Sequence, residues 1–255
     1  IVSTGGGTPY IPVVIGGTTR SAVYTSGSGT NEIVFSYTVQ ENEIDNDGIA
    51  VGASATLNGG TIKDAAGNNA VLTLNSVGVT SLVLVDGVLP VVQSVSVPAN
   101  GTYKSNQNLD FTVIASENIA VDTTAGKPRI AVAIGAATRY AYYYSGSGND
   151  SVVFRYTIIP GEVDANGITV GALTLNSGTI KDLAGNSMVL TLNSVGSTAA
   201  VLVDATNEAP VLAAIENAGL NYTEGAGAVN ITSSLTVTDG NDTDIEGAVV
   251  QIAGN

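Results

Sequence analysis

The sequence predicts an all-β fold, with antiparallel β-sandwich domains arranged in tandem. Composition and pattern give the first sign. There are 31 Gly with many Thr, Val and Ile, short runs in which apolar and polar residues alternate, and almost no helix-forming pattern of any length. Repetition gives the second. Residues 60–86 and 178–204 share 21 identities in 27 positions, and residues 8–52 and 127–171 share 23 in 45 without a gap. The period, near 118 residues, is far too long for a solenoid unit and has the size of one whole domain. Tandem copies of a domain serve reach, spacing or multivalency more readily than a unique active site.

The chain's 255 residues accommodate two such domains and part of a third. The expected boundaries are 1–88, 89–207 and 208–255. The middle copy is complete and sets the element order. After Leu89-Pro90, Val91 to Val97 alternates, and Pro98-Ala99-Asn100-Gly101 turns the chain. Leu109 to Ala115 alternates again. Ile130 to Ile134, Arg139 to Tyr144, Ser151 to Ile158 and Val189 to Leu192 follow, and Ala200 to Val203 closes the domain. Such short strands between Gly, Asn, Asp and Ser turns read as a sandwich. The clearest hairpin is at Ser145-Gly146-Ser147-Gly148, with its twin at Ser26-Gly27-Ser28-Gly29, because Gly adopts positive φ without steric cost. A phosphate-cradling reading of this Gly-rich element fails, since no Lys follows it and strands rather than a helix continue.

The first copy has no counterpart of residues 91–119, because Ile1-Val2 aligns with Ala120-Val121. Two opening strands are therefore missing from it, and exposed core and unpaired edges are expected there. At the other end, Pro210-Val211-Leu212, Tyr222 to Gly225 and Ile231 to Val237 read as the opening strands of a further domain.

Composition narrows the chemistry. With no Cys, no His and no Trp, the chain lacks disulfides, thiolate sites, the usual general base and any Ser-His-Asp arrangement. Eight basic against 22 acidic residues give a net charge of −14, which repels nucleic acid and anionic lipid and attracts divalent cations. No apolar run approaches the roughly 20 residues that span a bilayer, so no membrane insertion is expected.

Several acidic groups are candidate cation ligands. Glu43-Ile44-Asp45-Asn46-Asp47-Gly48 and Glu162-Val163-Asp164-Ala165-Asn166-Gly167 place oxygen-bearing side chains at alternate positions before a Gly. Asp45, Asp47, Asp164 and Asn166 could thus form half of a calcium loop, or an Asx turn whose carboxylates cap backbone amides; the turn is favoured. Asp64-x-x-Gly67-Asn68 and Asp182-x-x-Gly185-Asn186 read as structural turns, with Lys63 and Lys181 facing solvent rather than forming a Lys–Asn crosslink. At the linker, Asp204, Asn207 and Glu208 gather oxygen ligands before Pro210, and further on Asp239, Asn241, Asp242 and Asp244 crowd together without a basic neighbour. Carboxylates this close repel one another, and a bound cation relieves the repulsion. Glu224 is a further candidate. Calcium clamped at the linker would turn a flexible joint into a stiff one.

An enzyme is not expected. Paired carboxylates invite a glycosidase, but no acidic pair sits in a cleft pattern, and each repeat would need its own site. Tyr140, Tyr142, Tyr143 and Tyr144 form the one aromatic cluster, and alternate members should face the core and the sheet surface.

The combination of Ser-Gly-Ser-Gly, Val-Phe-x-Tyr-Thr, Asp-x-x-Gly-Ile, Gly-Thr-Ile-Lys-Asp-x-Ala-Gly-Asn and a terminal Leu-Val-Asp, spanning roughly residues 1–207, resembles the bacterial Ig-like repeats of large surface adhesins. From Asp204 the linker resembles the cadherin Asp-x-Asn-Asp-Asn-Ala-Pro calcium motif, with Asp204, Asn207, Ala209 and Pro210 as matches; Glu208 replaces an Asn and the spacing is compressed. Residues 210–255 resemble a partial bacterial cadherin-like repeat through Tyr222-Thr223-Glu224-Gly225 and Ile245-Glu246-Gly247-Ala248. The resemblance implies tandem Ig-like domains at the cell surface, an extracellular stalk or spacer stiffened by calcium. One alternative is a filament subunit assembled head to tail with identical chains by β-strand donation. Another is a lectin-like module that binds carbohydrate or protein through Tyr140 to Tyr144.

Overall fold

The computed structural model describes residues 1–206, 210–214, 223–225, 227, 232 and 234–238. All regular elements among them are strands, so the fold is all-β as expected. In the first copy these are β1 (Val2–Ser3), β2 (Tyr10–Ile15), β3 (Thr18–Ser26), β4 (Val34–Ser36), β5 (Ile44–Asp45), β6 (Ala50–Val51), β7 (Thr61–Ile62) and β8 (Val85–Asp86). The second copy contributes β9 (Val92–Ser96), β10 (Gly101–Tyr103), β11 (Asn108–Asp122), β12 (Arg129–Ile134), β13 (Ala137–Ser145) and β14 (Asn149–Thr157). It continues with β15 (Val163–Asp164), β16 (Thr169–Thr174), β17 (Thr179–Asp182) and β18 (Val201–Asp204); β19 (Val211–Ala213) pairs with β20 (Thr236–Thr238) beyond it.

The chain divides into two compact units. The first comprises Ile1–Val91 together with Glu117–Ala120 and Ile180–Val189; the second comprises Val92–Ser116, Val121–Thr179 and Leu190–Asn255. Two short segments of the second sequence copy therefore belong with the first.

In the second sequence copy the larger sheet has the order β16-β12-β13-β14-β11-β17, with β9 also on β11. A smaller sheet has the order β10-β18-β15, and there β10 and β18 run parallel. Period-two alternation explains the core. Ile130, Val132 and Ile134 point inward from β12, and Leu109, Phe111 and Val113 do so from β11. With Val152, Phe154, Ile158 and Val201, most of these side chains are wholly buried. The Gly146–Gly148 turn joins β13 to β14 where the sequence places a hairpin, with φ of 106° and 91° at the two glycines.

The first unit repeats this plan with fewer strands. Its sheet has the order β4-β3-β2-β6, and β1-β7 and β5-β8 form separate pairs. Val13, Ile15, Ala22 and Val85 form its core, with Phe35, Tyr37 and Ile49 packed against them. Residues 1–90 hold no strands that correspond to β9 and β10. Val201 is 0% exposed beneath β10, whereas its twin Val83 is 46% exposed. Val71, Val79 and Leu82 are also largely exposed.

The structure differs from the sequence reading in three places. Val189–Leu192 forms no strand; Val189 donates its N–H to the carbonyl of Pro90 and makes only an isolated bridge to Val91. β11 is 15 residues long, because the alternation seen at 109–115 continues past Ser116 to Ile119. β10, β16 and β17 lie in stretches broken by Gly, Thr and Lys, where alternation is too brief to read.

Candidate functional site

Each copy carries the same pair of polar latches. In the first, Glu43 is buried and accepts hydrogen bonds from the Gln40 N–H (2.8 Å) and the Tyr37 hydroxyl (2.7 Å), and it pairs with Arg20 at 2.5 Å. The Gln40 amide, then the Tyr37 hydroxyl, hold its carboxyl below the usual range. Glu162 repeats the arrangement with the Ile159 N–H, the Tyr156 hydroxyl and Arg139. Burial, then the hydrogen bond to Glu162, raise the Tyr156 hydroxyl well above its ordinary value.

The second latch is the Asx turn. Asp45 Oδ2 accepts the Gly16 N–H at 2.8 Å, and Oδ1 accepts those of Gly48 (2.8 Å) and Asp47 (3.3 Å). These donors, Gly16 foremost, hold the Asp45 carboxyl low. Asp164 accepts from Gly135 at 2.7 Å and from Asn166 at 3.2 Å. Gly16 and Gly135 must be glycine: φ is 53° and 55°, and a Cβ would lie 2.2 Å from the Ile44 carbonyl oxygen and 2.6 Å from that of Val163. The oxygens of Asp45 and Asp164 thus serve backbone amides, as the turn reading has it. Asp47 and Asn166 are exposed and contribute their N–H groups.

A different acidic group comes together within the first unit. One carboxylate oxygen each of Asp86, Glu117 and Asp182 lies within 4.8 Å of the other two. β8 ends at Asp86, β11 carries Glu117 and β17 ends at Asp182. Asp182 is buried and held by the N–H groups of Gly185 (2.7 Å) and Asn186 (2.8 Å) and by Asn186 Nδ2 (2.8 Å). Asn186 Nδ2 also donates to the Asp86 carbonyl at 2.9 Å, which ties the two segments together. Asp86 Oδ1 accepts the Val88 N–H at 3.0 Å. Burial, followed by the charges of Asp86 and Asp182, raises the Glu117 carboxyl above its ordinary value. The donor set is all oxygen, the preference of a hard divalent cation. Its span is about twice a Ca–O bond of roughly 2.4 Å. A carboxylate has about four acceptor sites, so the existing hydrogen bonds leave capacity for a ligand bond.

Of the linker candidates, Asp204 is half of a small turn: its Oδ1 accepts the Thr206 hydroxyl (2.6 Å) and N–H (3.3 Å), and these hold its carboxyl low. Glu224 is exposed in a turn. Asn207, Glu208, Asp239, Asn241, Asp242 and Asp244 lie outside the described residues, as do Tyr222 and Ile231.

The sequence reading assigned Asp182 to a turn, which it is, without anticipating its neighbours. Asp86 was legible in principle, being the repeat twin of Asp204. Glu117 lies in the segment that has no counterpart in the first copy, so no comparison of repeats could point to it. No protein-family model matches this chain, and neither a curated protein nor a solved structure matches it.

Proposed function

We propose that this chain is a non-catalytic extracellular spacer of a bacterial surface protein, built of tandem Ig-like repeats and stiffened by calcium. The observation that carries the reading is the repetition of a whole domain together with its internal latches, Arg20–Glu43–Tyr37 and Arg139–Glu162–Tyr156. Such latches fix the conformation of a module, and copying them extends a structure without adding chemistry. Asp86, Glu117 and Asp182 are the proposed calcium ligands in the first unit, and Asp204, the twin of Asp86, is their proposed counterpart at the next linker. Three carboxylates at this spacing repel one another, and a bound cation would offset that repulsion.

Calcium titration of the full chain tests this. The melting midpoint should rise with calcium, by an increment that follows ligand concentration over dissociation constant. Glu117→Gln should remove that rise. A midpoint indifferent to calcium in both proteins would sink the proposed clamp.

A second reading, the strand-accepting subunit, is favoured by the contrast between Val83 and Val201. The open edge along Val83–Val85 is where the second copy receives β10 in parallel, so an extended segment patterned like residues 91–119 would complete it. A synthetic peptide of residues 91–119, added to the full chain, should protect the amides of Val83 to Val85 from hydrogen exchange. Replacing its Phe111 with Asp should abolish the protection. Equal protection by both peptides, or none by either, would eliminate this reading.

A further inference from the structure

We propose that the outer face of the large sheet in the second unit binds a saccharide carrying carboxylate groups. Five strands meet there in one row: Thr174, Arg129 and Tyr142 are direct cross-strand partners, Tyr142 opposes Arg155, and Arg155 reaches Asp110. Tyr140 and Tyr144 flank Tyr142 on the same strand face, while Ala141 is buried and Tyr143 packs edge-on against Phe154. The three outward tyrosines are 36%, 40% and 57% exposed.

The two arginines on this face differ in one respect. Arg155 lies 3.9 Å over the Tyr144 ring and its charge is met by both oxygens of Asp110, at 2.6 and 2.7 Å. Arg129 lies 3.8 Å over the Tyr140 ring and 5.9 Å from that of Tyr142, and Nη1 donates to the Tyr142 hydroxyl at 3.4 Å. No carboxylate pairs with it among the described residues. The chain's other three arginines each hold a carboxylate: Glu43, Glu162 and Asp110. In a chain with 22 acidic residues, an arginine stacked on aromatic rings yet left without one is set for an acid from outside.

The first copy serves as an internal control. At the same strand positions it has Tyr10, Ser21, Val23, Thr25 and Ser36, in the same cross-strand register and with no cation. The buried latches are kept between copies while this face is replaced. The ladder is therefore a feature of the second copy alone and not of the plan the two copies share. A planar guanidinium presents paired N–H groups that match a carboxylate, and Tyr and Arg are the residue types that dominate binding hot spots. Tyrosine rings offer an apolar face for the C–H side of a pyranose and a hydroxyl at the rim for its polar groups. The net charge of −14 repels a densely charged polyanion, so the ligand that fits alternates acidic with neutral rings.

The test uses the full chain and a hyaluronan hexasaccharide, in which uronate alternates with a neutral sugar; chitohexaose serves as the neutral control and hexaglutamate as the acidic peptide control. With no Trp, the ten tyrosines supply the emission that reports binding. The expected result is saturable binding of the hyaluronan fragment below roughly 1 mM, weakened at least about tenfold by Arg129→Gln, with Arg129→Lys intermediate because it keeps charge without the fork. Tyr144→Ala, at an exposed position, provides a second variant should Arg129→Gln lower the melting midpoint. Absence of saturation would overturn the proposal. So would equal binding of chitohexaose or hexaglutamate, or a hyaluronan affinity unchanged in both variants.

Discussion

At the residue scale, the latches make sharp claims. Asp164→Ala removes the buried carboxylate that accepts the Gly135 and Asn166 amides, and hydrogen bonds to a charged group contribute roughly 1.5–3 kcal/mol. Denaturant unfolding of the full chain should show a loss of about that size, with Asn166→Ala, whose side chain is exposed, near neutral. pH separates the latches from the acidic triad. Glu43 and Asp45 have folded values held below their ordinary 4.5 and 3.8, so their charged forms favour folding. That contribution is complete above the ordinary values and is lost as pH falls through the lower folded ones. Glu117 has the opposite sign: its value is raised, so its charge opposes folding, and stability falls as pH rises from 4.5 through the folded value. Calorimetry in EDTA should therefore show a steep decline in midpoint below about pH 4. Glu117→Gln should lift the midpoint at neutral pH and leave the acid limb unchanged.

At the scale of elements, β11 is the strand on which the second copy depends. β9 and β17 pair with it, it neighbours β14 in the sheet, and Leu109, Phe111, Val113 and Ile119 are wholly buried along it. Phe111→Ala should cost about 3–5 kcal/mol, read from denaturant midpoints, whereas Thr112→Ala on the opposite face should cost little. Much at this scale was legible in the sequence. The inward set of β12 follows from Ile-x-Val-x-Ile at 130–134, and the outward tyrosines of β13 follow from period-two alternation. What escaped has a physical cause. A strand of three or four residues such as β10 or β17 owes its existence to the partner it pairs with, and local sequence carries no record of that partner. The acidic triad escaped for the same reason. Asp86, Glu117 and Asp182 are far apart in sequence, and only the pairing of strands brings them within one ion's reach.

At the scale of the molecule, the two copies share their buried latches and differ on the outer face of the sheet. If calcium links the segments that carry Asp86, Glu117 and Asp182, hydrogen exchange of their amides should be slower with calcium than with EDTA, and Glu117→Gln should exchange alike in both. An exchange profile that ignores calcium would leave the triad without a bound ion.

The parallel pairing of β10 with β18 has a mechanical meaning. β10 lies near the beginning of the second repeat and β18 at its end, with Gly101, Thr102 and Tyr103 facing Val201, Leu202 and Val203. Tension applied at the start of β10 and at the end of β18 draws these strands in opposite directions along their shared axis. The registered pairs are then loaded in shear and must yield together, where a hairpin pulled at its ends would unzip one pair at a time.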